Sequence, residues 1–412
     1  MTNMKKTFFN KLLLATSSIG LLASMESSAA VVVAVPHENN TSYVMDPMRG
    51  GDRPQDWRSN NGAQYQPQNG DDIILRRAHL INFNQNININ DINIYGYSAS
   101  TFIDNWHNGI NDRREMGGIA ITPGFGANRI VTINNIINSD ANNYRIAGSN
   151  ALGEALIYGN KNAKVRVDLL ESLNDLKLII TGNDISAVDS IVMSGGTNEI
   201  IFRNPIKVKS KIYARNILQG KVKIESNNIV FESPIGNDGR DNHSISIFKV
   251  DDNISVTLEN NIAAEDINLG KNSTVIIDTT KRNIDVRSGI VVNNTVDNQG
   301  IVQVRGHAKN TVTFHENIGV QDFKAAEIQI ENGKKTEFKQ KVYAKKITVA
   351  SNDVVFEEKL DMAQYNQNNR GNRTNLIHTG NLEFTNRGKV KFNKDYVGTI
   401  TTSKANIGEV IL

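Results

Sequence analysis

Ser255-Val256-Thr257-Leu258-Glu259-Asn260-Asn261-Ile262-Ala263-Ala264-Glu265-Asp266-Ile267-Asn268-Leu269 places apolar residues at 256 and 258, at 262 and 264, and at 267 and 269. Residues two apart lie on one face of a strand. The steps between the pairs, four and then three, require bends. The stretch therefore reads as three short strands joined by two corners, all turning one face inward. Thr336, Phe338, Val342, Ala344, Ile347 and Val349 repeat this spacing, as do Ile81, Phe83, Ile87, Ile89, Ile92 and Ile94.

The pattern then starts again. Val275 and Ile277 follow Val256 and Leu258 by nineteen residues, and Val354 and Phe356 follow Thr336 and Phe338 by eighteen. Partial copies lie at Ile200-Phe202-Ile206-Val208, Val312-Phe314-Ile318-Val320 and Val354-Phe356-Leu360-Met362. Longer strings recur too. Lys211-Ile212-Tyr213-Ala214-Arg215-Asn216-Ile217 resembles Lys341-Val342-Tyr343-Ala344-Lys345-Lys346-Ile347, and Ser226–Glu232 resembles Ser351–Glu357. Three strands in a period of about 18 to 25 residues are what a parallel β-helix needs. The expected fold is all-β, a right-handed parallel β-helix (a three-sided solenoid) with irregular loops. A single coil buries too little to offset the entropy of ordering it, so stability has to accumulate along a stack. Asn suits the corners because it tolerates left-handed backbone, and it can form ladders between coils. The segment 167–178, the best helix candidate, also reads as two short strands. A sandwich or barrel would place hairpin turns regularly, and Asn69-Gly70, Asn108-Gly109 and Asn332-Gly333 are not so placed.

The first thirty residues differ from the rest. Lys5, Lys6 and Lys11 precede an apolar run from Leu12 to Ala23, and Ser28-Ala29-Ala30 supplies small residues before Val31. This is the layout of a secretory signal peptide, with cleavage expected between Ala30 and Val31. The run is too short to cross a bilayer, which takes about twenty residues. The leader holds +2 of the formal +3 through those lysines and Glu26, which leaves about +1 on the remainder. A nearly neutral chain is not expected to bind nucleic acid, which demands a basic stripe. With no cysteine, disulfides, thiolate metal sites and cysteine nucleophiles are excluded. The expected organisation is a signal peptide over 1–30, a polar N-terminal segment over 31–70, and a β-helix over 71–412. Insertions are expected at about 96–128, 236–243 and 363–375.

The signal peptide, the Asn-rich Val-Thr-Phe rungs and the absence of cysteine resemble autotransporter passengers, and most nearly the rickettsial surface cell antigens (outer-membrane protein A and B type). Thr311-Val312-Thr313-Phe314-His315-Glu316-Asn317-Ile318-Gly319 and Asn381-Leu382-Glu383-Phe384 carry the resemblance. It covers residues 200–412 well and 71–199 loosely. It implies a surface-exposed adhesin or surface antigen that contacts a host-cell surface protein or matrix. The chain departs from that family at Glu409-Val410-Ile411-Leu412, still in rung-like sequence and without the translocating barrel. The expectation is therefore a fragment, a split-gene product or a chain exported by a separate translocator. Localisation at the cell surface or outer membrane is expected, with the periplasm as alternative, and a monomer is expected.

Motifs that carry chemistry are missing. There is no Gly-x-Ser-x-Gly elbow, P-loop, His-Glu-x-x-His or dinucleotide fingerprint. The seven histidines are scattered, and His315 reads as a solvent-facing rung residue. Gly236-Asn237-Asp238-Gly239-Arg240-Asp241 lacks the second glycine of a calcium nonapeptide and reads as a plain loop. In Arg49-Gly50-Gly51-Asp52 an extra glycine separates the charges of an integrin tripeptide. Asp71-Asp72 and Asp251-Asp252 cannot each make a catalytic pair, because neighbours on a strand face opposite sides. A β-helical carbohydrate-active enzyme, the alternative function, needs carboxylates aligned across successive coils, and no such alignment is legible. No catalytic residue, cofactor or metal is expected. Binding is expected in the interruptions, first in 96–128, where Trp106, His107, Arg113 and Arg114 lie beside Gly117, Gly118, Gly124 and Gly126. Exposed aromatic and Arg residues are the usual anchors of an interface.

Overall fold

In a computed structural model, the protein is described at residues 31–34, 42–45, 57–59, 69–76, 80–83, 86–95, 116–121, 128–138, 164–170, 175–236, 243–292, 299–350, 353–365, 376–405 and 407–412. Among these residues there is no helix, and the strands form long, mostly parallel sheets. The chain divides into two units, Met1–Ile191 and Val192–Leu412.

In the first unit Asp72–Arg76 pairs with Ile87–Tyr95, which pairs with Arg129–Asn138, which pairs with Leu176–Ile180, all in parallel. A second series runs Ser42–Met45, Leu80–Phe83, Met116–Ile121 and Lys164–Leu169. Residues 164–169 and 176–180 are thus two strands. Ile73, Ile89, Ile92, Ile119, Ile121, Val131, Val167 and Leu178 are completely buried.

Two of the segments named from the sequence carry strands. The polar segment 31–70 contributes strands at Val31–Ala34, Ser42–Met45 and Trp57–Ser59, and the first of these pairs in parallel with Asp72–Arg76. The insertion at 96–128 is shorter, because Met116–Ile121 lies between two parallel neighbours. The glycine pair Gly117-Gly118 leads directly into Ile119 and Ile121, both of which are buried.

The second unit has the registers that the spacing implies. Val256 faces Val275, Thr336 faces Val354, and Phe314 faces Phe338. Ile262, Ile267, Val342 and Ile347 are all buried. Steps of four make corners, but steps of three do not break the strand. Ile262–Leu269 and Val342–Val349 each run continuously through a bend, which shows as a register shift between Ala263 and Asp266. Residues 363–375 start as a strand, Ala363–Tyr365, paired antiparallel with Leu376–Thr379.

Parallel in-register strands place like side chains one strand spacing apart, about 4.8 Å. Phe314, Phe338, Phe356 and Phe392 occupy one inward row, and their rings stack with centroids 5.0, 4.8 and 5.5 Å apart. Thr336 interrupts the neighbouring inward row; it is fully buried and its hydroxyl has no hydrogen-bond partner.

Asparagine fills the corners for a specific reason. Where the chain turns, the next coil's N–H loses its ladder partner, and an amide oxygen replaces it. Asn227 Oδ1 accepts from Ser255 N, Asn261 from Asp285 N, Asn283 from Thr311 N and Asn317 from Lys341 N, at 2.8 to 3.1 Å. Asn228, Asn253 and Asn272 adopt φ of 61, 60 and 53°, the left-handed region that Asn tolerates.

Candidate functional site

The registers of the second unit bring charged side chains into rows. Ile224 faces Val250, so Glu225 and Asp251 stand side by side on successive coils, with Lys223 facing Lys249 and Lys249 facing Asn268. These residues, with Asp252 and Gly270, line an open cleft of about 800 Å³. Carboxylates are therefore aligned across coils after all. Sequence reading missed them because Glu225 and Asp251 lie twenty-six residues apart, just beyond the period of about 18 to 25 residues that the spacing suggests. The offset is readable only by matching Val222-Lys223-Ile224 with Phe248-Lys249-Val250.

Every member of this row is bound to another. Lys223 Nζ lies 2.6 Å from Glu225 and 3.0 Å from Asp251, Arg203 lies 2.7 Å from Glu225, and Lys249 lies 3.5 Å from Asp251. Burial opposes the charge on Lys223, but Glu225 and Asp251 outweigh it and hold the ammonium above its ordinary 10.5. Burial likewise opposes the charge on Glu225, and Lys223 and Arg203 outweigh it, so its carboxyl sits below 4.5. Lys223 and Glu225 are therefore both charged at neutral pH. Neither Lys223 nor Glu225 is shifted toward the neutral range where it would exchange a proton readily.

Other rows repeat the theme. Arg305 pairs with Asp278 at 2.9 Å, Lys346 with Glu327 at 3.2 Å, and Lys335 and Lys339 both with Glu337. Asp266 behaves differently: burial, aided by Glu265, raises its carboxyl above 3.8. Gly289 faces it in register, so no second acid stands across the coil to share its proton.

Asp251 and Asp252 lie just past the strand Ile245–Val250 rather than on it, and both line the cleft; Asp252 accepts from Lys271 N at 2.8 Å. Asp71 and Asp72 are both buried, and Asp72 accepts from Asn90 Nδ2 at 2.6 Å. His315 faces outward, 3.2 Å from Asp285. Among the described residues no group of acids and histidines could hold a metal ion. Trp106, His107, Arg113 and Arg114 lie outside the described residues, as do Gly124, Gly126, Ala30 and the leader, while Val31 opens the strand Val31–Ala34.

One interruption went unread. After Ala214 the chain leaves its sheet, and the next strand, in another sheet, begins only at Lys221. Ile217 and Leu218 in this turn are 56% and 42% exposed. Ile347, at the matching place in the similar string Lys341–Ile347, is fully buried.

No model of a known protein family, no curated protein and no solved structure matches the chain.

Proposed function

We propose that the chain is an exported, surface-exposed, non-enzymatic protein, built as a right-handed, three-sided parallel β-helix of the autotransporter-passenger type. On this reading residues 1–30 are its removable leader, and the coils carry an adhesin or surface antigen resembling the rickettsial surface cell antigens. Its partner is a host-cell surface protein or matrix component. The fold part of the reading is supported by three inward rows per return of the chain, such as Val312 with Phe314, then Ile318, then Ile328 with Ile330.

One observation carries the functional part. The aligned carboxylates at the cleft are ion-paired on both sides by Arg203, Lys223 and Lys249. A glycosidase instead needs one carboxyl held neutral opposite an ionised partner. The test has two arms. Protease applied to intact expressing cells should remove the chain, and the purified protein should bind cultured host cells saturably. Cleavage of a polysaccharide panel that is lost in Glu225→Gln or Asp251→Asn would replace this reading with the enzymatic one.

A further inference from the structure

The turn between Ala214 and Lys221 combines three observations. First, it exposes two adjacent large apolar side chains, Ile217 and Leu218, the one such neighbouring pair among the described residues. Second, it holds them outward under strain. Leu218 has φ 58°, which a residue with a side chain rarely adopts without a reason. The turn is also tied down: Leu218 N donates to Ser244 O at 2.8 Å, and Ala214 N donates to His243 O at 3.2 Å. Third, its surroundings are cationic. Lys211, Arg215 and Lys221 are exposed, and none is ion-paired to another of the described residues. The chain from residue 200 to 224 holds seven Lys and Arg and no acid. The nearest acid in register is Glu199, opposite Lys221.

A rigid apolar tip ringed by unpaired cations fits a surface whose charge is negative outside and whose interior is apolar. We propose that this turn docks on an anionic lipid bilayer. Ile217 and Leu218 enter the boundary between headgroups and acyl chains, while Lys211, Arg215 and Lys221 meet the phosphates. A sulfated polysaccharide would satisfy the cations and leave the isoleucine in water. A protein partner would favour aromatic anchors over this aliphatic pair. The inference does not rest on the adhesin reading.

The cysteine-free sequence gives a local probe. The full chain carrying Ile217→Cys, labelled with an environment-sensitive dye, is titrated with vesicles of phosphatidylcholine alone or mixed with phosphatidylglycerol. Val320→Cys, at a site 42% exposed, serves as the control. The expected result is a blue shift at 217 alone, with mixed vesicles alone. The paired change Arg215→Glu with Lys221→Glu should weaken partition about tenfold or more while the thermal melt stays that of the parent. No shift at 217, equal shifts at 217 and 320, or equal partition of the charge-reversed chain would overturn the proposal. So would binding to heparin in place of vesicles.

Discussion

Lys211–Ile217 and Lys341–Ile347 are nearly the same seven residues, and they end differently. Ile212 and Val342 are buried, as are Ala214 and Ala344; then Ile347 is fully buried while Ile217 is 56% exposed. The residues just after each isoleucine make the difference. Ile347-Thr348-Val349 keeps the alternation, and it pairs with Ile328–Ile330 on one side and Leu382–Phe384 on the other. The first strand has already stopped at Ala214, and Ile217-Leu218-Gln219-Gly220 offers no alternation to resume it, with Gln219 where the second string has Val349. The chain restarts through Gly220, at φ 72° and packed on Met193. A core residue is specified by the coil it belongs to and not by its own seven-residue neighbourhood.

The largest expected effect separates the two isoleucines. Ile347→Asp should cost about 4 kcal/mol or more, since it puts an unpaired charge in an apolar stack. Ile217→Asp should cost less than about 0.5 kcal/mol. Urea melts of both variants check this, and equal losses would mean that the exposed turn is packed in solution. Next in size is Gly220→Ala, which should cost about 1–3 kcal/mol. A Cβ at 220 would stand 2.4 Å from Met193 Sδ, on a backbone that L residues avoid. A melt unchanged by Gly220→Ala would show that the turn restarts the strand some other way.

Thr336 lies in the coil that precedes Val342. Thr336→Val removes a buried hydroxyl without a partner and should stabilise by about 1 kcal/mol in the same melts. A loss would mean that the hydroxyl is satisfied.

Acid should affect the surroundings of both segments alike, by a few tenths of a kcal/mol per pair, because each adjoins a half-exposed ion-pair row. Glu225 adjoins the first. Glu337, held below 4.5 mainly by Lys335 and against burial, adjoins the second. Their contribution is present above the ordinary carboxylate range and fades as pH falls through the depressed folded-state values. Lys223 and Lys339 sit above 10.5, so their contribution holds up to that pH and fades only as pH rises past the raised values. Hydrogen exchange at pH 7 and pH 3, read at 221–225 and 335–339, should show comparable loss of protection. A change confined to one would show that its pairs are looser than their geometry.

The sequence made much of the fold legible, because inward residues two apart and corners four apart leave a visible trace. Val256, Ile262, Ile267 and Val275 were readable as interior from spacing alone. The long returns were not. From Ile89 to Ile133, partners in register, the chain travels forty-four residues, and the glycine pair before Ile119 hid a strand inside that gap. The site was less legible still. Glu225 and Asp251 become neighbours only once Ile224 and Val250 are known to pair, and no local motif encodes that pairing.

The corner amides have a consequence for how the molecule assembles. Asn261, Asn283 and Asn317 each offer an acceptor to a segment 24 or 28 residues downstream, so a finished coil carries a marked landing point for its successor. Order can then spread like a zipper from any coil that forms first. The chain need close only short loops at each step, an entropic saving that sheets with distant partners do not have. Such a molecule can be solidified progressively as it emerges from a narrow passage, one turn behind the leading end.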